Sequence, residues 1–264
     1  MMGRWFPGAR WVRRVERTLL YPSQMLGPPP ERPQGLDGEV WWRQLEDEGE
    51  VEAWWLPALK GEGPRPLFVF AHGNGELIDG WERGMRFVRR RGFHLLLVEY
   101  RGYGRSGGEP SQAALAGDMV HFIDRARARS DVSEQLVLHG RSLGGGVVCT
   151  AARQRMPTAL VLMSTFRSIR AMARRFYLPA ILVPDPYDNE AFLGEYGGPV
   201  LIYHGTADSL IPFEHGKALA RAAPQALFLP DEGVDHNELP ADWRGFCEQV
   251  MDFLDEAGVA LVEG

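Results

Sequence analysis

The chain has 264 residues, 45% hydrophobic and 24% charged, with a formal net charge of −6. That length and composition suit one larger α/β domain with a substantial core and the balance of a soluble globule. The acidic charge argues against nucleic acid as a partner, and the sequence holds no repeat, no zinc-ligand spacing and no run near the ~18 apolar residues of a spanning helix.

Residues 1–38 form a basic, then proline-rich, approach to the main domain. Arg4, Arg10, Arg13, Arg14 and Arg17 alternate with Trp5, Phe6, Trp11, Val12, Val15, Leu19 and Leu20. No apolar run of export-signal length follows them. Trp11, Val15 and Leu19 fall at helical spacing, which predicts a short amphipathic helix that packs on its own domain or lies on a membrane surface. Pro22, Pro28, Pro29, Pro30 and Pro33 then impose an extended connection. Two cysteines, Cys149 and Cys247, lie in predicted helices among apolar neighbours. They are expected as buried free thiols, compatible with a reducing compartment. The expected location is the cytoplasm, with peripheral membrane contact as an extension.

From residue 39 a domain running to 264 is expected. Segments 39–45 and 51–56 read as an antiparallel hairpin around the acidic turn at 46–50. Strands at 67–71, 93–99, 135–139, 159–163, 200–204 and 226–229 then alternate with helices near 77–91, 111–129, 143–154, 213–223 and 240–257. This pattern predicts an α/β fold: an eight-stranded, mostly parallel sheet with helices on both faces. Segment 164–198 is the one long connection, read as a short helical lid.

The stretch with the most chemistry is Gly140-Arg-Ser142-Leu-Gly144, between the apolar strand Leu136-Val-Leu and a run of small residues. G-x-S-x-G between strand and helix is the pattern of a nucleophile elbow. Side chains two residues either side would collide with the turn, hence glycine at both flanks. Ser142 then stands at a helix N-terminus, where the Leu143 N–H is free to hold a developing oxyanion. A second strand ends in Ala71-His72-Gly73-Asn74-Gly75, whose Asn74 N–H is the candidate second donor; His72 reads as structural. Asp208 follows the strand ending at His204, and His236 lies in the loop after the next strand. Sites in open parallel sheets form beyond the carboxyl ends of strands. Ser142, Asp208 and His236 are therefore the candidate nucleophile, acid and base. Asp185, Asp188 and Asp231 compete with Asp208 on proximity alone.

These motifs, with Glu99-Tyr-Arg-Gly-Tyr-Gly104, resemble those of the α/β-hydrolase family over about residues 39–257. The resemblance is strongest to the branch of abhydrolase-domain lipases and protein depalmitoylases. It implies a Ser-Asp-His triad that cleaves carboxylic esters or thioesters through an acyl-enzyme, with no metal and no cofactor. The implied partner is a small acyl ester, lipid or acyl thioester. Two positions depart from the family pattern: Glu99 stands where aspartate is usual, and Asp235 where glycine usually precedes the catalytic histidine.

Two rival readings are open to test. Gly102-Tyr-Gly104-Arg-Ser-Gly107 matches the G-x-G-x-x-G of dinucleotide binders, but Pro110 intervenes before the helix begins, against the geometry that motif requires. A catalytically inactive hydrolase fold used for binding is the alternative from another class. In segment 164–198, Phe166, Ile169, Met172, Phe176, Tyr177, Leu178, Ile181, Leu182, Val183, Tyr187 and Phe192 are expected to cover an acyl site. Arg167, Arg170 and Arg174 form one helical stripe, either a solvated face or a contact for anionic lipid.

Overall fold

A computed structural model of the chain describes residues 20–22, 31, 35–46, 49–175, 183–238 and 240–259. The expected basic helix around Trp11–Leu19 and the apolar residues Phe176 to Leu182 lie outside them.

Eight strands form one sheet: β1 (Glu39–Gln44), β2 (Glu50–Leu56), β3 (Arg65–Ala71), β4 (His94–Val98), β5 (Val132–Arg141), β6 (Ala159–Met163), β7 (Val200–Gly205) and β8 (Ala226–Asp231). Their spatial order is β1-β2-β4-β3-β5-β6-β7-β8. The β1–β2 and β2–β4 pairs are antiparallel, and every later pair is parallel. Among the described residues the helices are α1 (Arg86–Arg90), α2 (Gln112–Arg127), α3 (Leu143–Ala152), α4 (Ile169–Arg175), α5 (Asn189–Glu195), α6 (Glu214–Ala222) and α7 (Trp243–Glu256).

The inner strands are buried along nearly their whole apolar length, as strands covered on both faces must be. Alternation along each strand builds two cores. Val69, Leu96, Leu138 and Leu162 pack with α2 and α3 residues such as Phe122 and Val148. Phe70, Leu97, Val137 and Val161 pack on the other face with Phe246 and Val250 of α7. Cys149 and Cys247 are buried free thiols, as expected.

Two expectations need correction. The helix near 77–91 is a single 3-10 turn (Ile78–Gly80), a run of turns and the short α1. Ile78, Trp81, Met85 and Val88 are all buried, so the helical spacing of apolar residues is real. Gly80 and Gly84, each costing about 1 kcal/mol inside a helix, favour the broken backbone. In segment 164–198, Phe166, Tyr187 and Phe192 face inward and belong to the α3-side core rather than to a cover. The Gly102–Gly107 loop is closed on itself: Gly102 N–H bonds to Gly107 O, and Arg105 spans Glu52 and Asp79. The next helix is capped only at Ser111, nine residues after Gly102, so the motif does not open a helix.

His139 of β5 is the outlier of the α7-side core. It is fully buried, lies edge-on to Phe68 and Phe70, and neither ring nitrogen has a partner. Burial pushes its pKa down to about 3. The unfolded chain takes up this proton below its ordinary value near 6.5 and the folded chain does not. The penalty is therefore absent above that pH and grows as pH falls toward 3, reaching about 2 kcal/mol at pH 5. His139→Leu should raise the melting temperature more at pH 5 than at pH 8. Equal gains at both pH values would mean that another group carries the acid sensitivity.

Candidate active site

β5 ends at Arg141 and α3 begins at Leu143, leaving Ser142 to make the whole turn with φ 51° and ψ −115°. The left-handed φ is costly for a residue with a Cβ, on the order of 1–3 kcal/mol. Three bonds hold it: Ser142 N–H donates to Met163 O (2.9 Å), and Ser142 O accepts the Thr165 hydroxyl (2.7 Å) and Gly145 N–H (3.1 Å). A Cβ at Gly140 would lie 2.4 Å from Gly144 C, and one at Gly144 only 2.0 Å from Ala71 O. The flanking glycines are thus required by backbone contact.

His236 and Asp208 complete the constellation. His236 Nε2 lies 3.0 Å from Ser142 Oγ, and its Nδ1 lies 2.8 Å from Asp208 Oδ2. With Nδ1–H donated to the carboxylate, Nε2 is left to accept the serine hydroxyl. All three side chains are buried. Asp208 Oδ1 accepts Leu210 N–H (3.0 Å) and Ile211 N–H (2.7 Å), and His204 Nε2 lies 3.3 Å from Oδ2. Burial raises the Asp208 pKa, but hydrogen bonds from His204, His236 and Ile211 outweigh it and hold the carboxyl well below its ordinary range. The contact of His204 with the acid emerges only in the fold; the His–x3–Asp spacing across a strand end is the sequence signal that carries it.

The competing carboxylates are engaged elsewhere. Asp185 accepts the Tyr21 hydroxyl, Asp188 caps α5, and Asp231 accepts the Tyr203 hydroxyl. His72 is far from a base in role: its Nε2 pairs with Glu99 at 2.7 Å while Nδ1 faces Gly73 O. Burial works to lower the His72 pKa, and the Glu99 charge and hydrogen bond reverse that into a net rise. The longer Glu99 side chain also receives Tyr100 N–H and Ile78 N–H, so it closes the turn from both sides. The Asn74 side-chain oxygen is held by Tyr103 OH (2.8 Å). The Asp235 carboxylate accepts Ser209 N–H (2.6 Å), tying the histidine loop to the aspartate loop. That bond leads the causes that lower its pKa. Arg167 pairs with Glu190, whereas Arg170 and Arg174 are exposed on α4.

Comparison with known proteins identifies the chain's relatives. The model of the family described as serine aminopeptidase, S33 matches residues 62–183. The uncharacterized protein YfhR of Escherichia coli (strain K12) is 31% identical over 260 residues, covering 92% of this chain and 88% of that one. The lysophosphatidylserine lipase ABHD12 of Rattus norvegicus is 30% identical over 213 residues, covering 72% of this chain and 52% of that one. Among solved structures, the butyrate-bound esterase Est2 of Thermogutta terrifontis superposes with a TM-score of 0.70 at 18% identity, over 88% of this chain and 98% of that one. Est1E of Butyrivibrio proteoclasticus, with ferulic acid bound, gives 0.69 at 19% identity, over 82% and 98%. The chain belongs to the α/β-hydrolase family and is an ester-hydrolysing serine hydrolase.

The strained turn has a measurable consequence. At ordinary positions glycine is less stable than alanine by roughly 0.5–1 kcal/mol, and at a left-handed φ that order reverses. Ser142→Gly should therefore be more stable than Ser142→Ala by about 1 kcal/mol in denaturant unfolding. The opposite order would show that residue 142 is not strained in the folded protein.

Proposed function

We propose that the protein hydrolyses a small acyl ester or thioester through Ser142, with His236 as general base and acid and Asp208 as the group that orients and stabilises the imidazolium. The observation that carries this reading is the hydrogen-bonded line from Asp208 through His236 to Ser142, at 2.8 and 3.0 Å. His236 Nε2 takes the serine proton as Oγ attacks the carbonyl carbon, and the carbonyl electron pair moves onto oxygen. The backbone N–H groups of Leu143 and Asn74 hold that oxyanion, worth about 10²–10³ in rate per donor in a comparable site. The tetrahedral intermediate collapses, His236 gives its proton to the departing alcohol or thiol, and an acyl-serine remains. Water, deprotonated by His236, attacks that acyl group in the same way, releasing the acid and restoring the serine.

A lipidic substrate is the finer version of this reading. It is favoured by exposed Arg170 and Arg174 one turn apart on α4, within the β6–β7 connection. An arginine near an anionic surface contributes about 1 kcal/mol, so the pair would strengthen binding roughly 30-fold. The Arg167–Glu190 pair removes the third arginine of the stripe from that sum.

Ser142→Ala should abolish hydrolysis of a p-nitrophenyl ester and labelling by a fluorophosphonate while the melting curve stays cooperative; wild-type turnover would sink the nucleophile assignment. Asp208→Asn should cut kcat by about 10⁴, the size seen for that swap in another triad enzyme. Asp235→Asn, which keeps an oxygen for Ser209 N–H, should cost under about threefold. If the two mutants exchanged severity, the acid would be misassigned. For the lipid version, co-sedimentation with phosphatidylserine vesicles should exceed that with phosphatidylcholine vesicles and fall when Arg170 and Arg174 become glutamine. Indifference to headgroup charge would leave an esterase with no lipid-surface preference.

A further inference from the structure

Arg141, next to the proposed nucleophile, sits where three catalytic loops converge. Its Nη2 donates to His236 O (2.8 Å), and its Nη1 pairs with Glu76 Oε1. Glu76 Oε2 in turn accepts Gly73 N–H (2.8 Å) and the Trp81 indole N–H (2.9 Å). A Cβ on Gly73 would lie 2.7 Å from Nη1, so the guanidinium is packed directly against the turn that carries Asn74. The Arg141 side chain is only 6% exposed and that of Glu76 23%.

We infer that the Arg141–Glu76 ion pair is a positioning device that sets the Asn74 oxyanion turn and the His236 loop at a fixed distance from Ser142. The inference rests on the triad reading above. Three strands, β5, β6 and β7, separate β3 from β8 in the sheet, so ladder hydrogen bonds relate the two loops only through intermediates. Arg141 joins them in one step, from the residue beside the nucleophile. A stabilising role explains the arrangement poorly. Burying the Arg141 charge carries a desolvation cost, and apolar replacements of buried pairs are often neutral or better. Two directed bonds from one planar guanidinium are also what lysine, with its single compact charge, cannot reproduce. Catalytic geometry is sensitive at this scale, since a displacement of about 1 Å can cost about 10²-fold in rate.

The test uses the full chain and a p-nitrophenyl butyrate assay with Arg141→Lys, Glu76→Gln and the double variant, alongside thermal unfolding. Each single variant should lose about 10- to 100-fold in kcat with KM within about threefold, because the loss falls on the transition state. The double variant should be no worse than the poorer single one, as for two members of one unit. The charge swap Arg141→Glu with Glu76→Arg should stay impaired, since an arginine at 76 cannot accept Gly73 N–H. Unchanged kcat with a lowered melting temperature, multiplicative losses in the double variant, or full rescue by the swap would each overturn the inference. Fluorophosphonate labelling keeps the two claims apart. Normal labelling of Ser142 together with wild-type turnover in the variants defeats the positioning role alone. Wild-type turnover by Ser142→Ala defeats the nucleophile reading instead, whatever the pair does.

Discussion

The structure depends on how closely α3 approaches the end of β3. At Gly144 the helix backbone comes so near Ala71 O that a Cβ would sit 2.0 Å from it. Gly145 meets Thr165 and Gly146 meets the Tyr187 ring with no more room for a side chain. A helix starting this close must follow its strand through one residue, and that residue takes a left-handed φ whatever its identity. Ser142 is held there by bonds from Thr165 and to Met163, both belonging to β6 and the loop after it. The strain is therefore carried by the sheet. The same approach brings the β3 turn alongside the first N–H groups of α3, where helix geometry leaves donors unsatisfied.

Around this fixed point the charges are arranged by hydrogen bonding more than by proximity of opposite charge. Asp208 is buried, yet two backbone N–H groups and two imidazoles favour its ionised form. Glu99 plays a matching part behind the β3 turn, with His72 and two backbone N–H groups as its partners. In both places a carboxylate organises a loop by accepting main-chain donors, which orients the loop as well as neutralising the charge. Asp235 extends the scheme: where glycine would leave the loop free, its carboxylate ties the histidine loop to Ser209 beside the acid.

The sheet was legible because its strands are continuous apolar runs bounded by glycine and proline, and burial on both faces leaves no other reading of Leu67–Ala71 or Leu136–Leu138. The constellation of Ser142, Asp208 and His236 was legible because each residue follows a strand and strand ends converge. What escaped depends on contacts between distant segments. The 77–91 region shows helical spacing because Ile78, Trp81, Met85 and Val88 all reach the core, but Gly80 and Gly84 decide the backbone. Phe166, Tyr187 and Phe192 look like lid residues in sequence because nothing local distinguishes an aromatic that covers a pocket from one that fills a core. The Arg141–Glu76 pair spans 65 residues and has no periodic mark.

The β6–β7 connection is tied to these atoms at both of its ends. Its first residues are bound to the elbow, with Thr165 on Ser142 O and Phe166 near Gly146. Its return is bound there too: the Tyr187 ring lies against Gly146, its N–H donates to Gln112, and its own φ of 41° marks a turn held by its surroundings. Asn189 closes the base by donating to Phe166 O from its side chain and to Arg167 O from its backbone. Both ends of the segment are therefore pinned to the helix that follows Ser142, while α4, with Arg170 and Arg174 outward, lies between them. Changes on the outer face of α4, at Arg170 or Arg174, leave the Ser142 turn untouched. Changes at Thr165, Phe166 or Tyr187 reach the Ser142 turn itself, so substitution has room in the first set and little in the second.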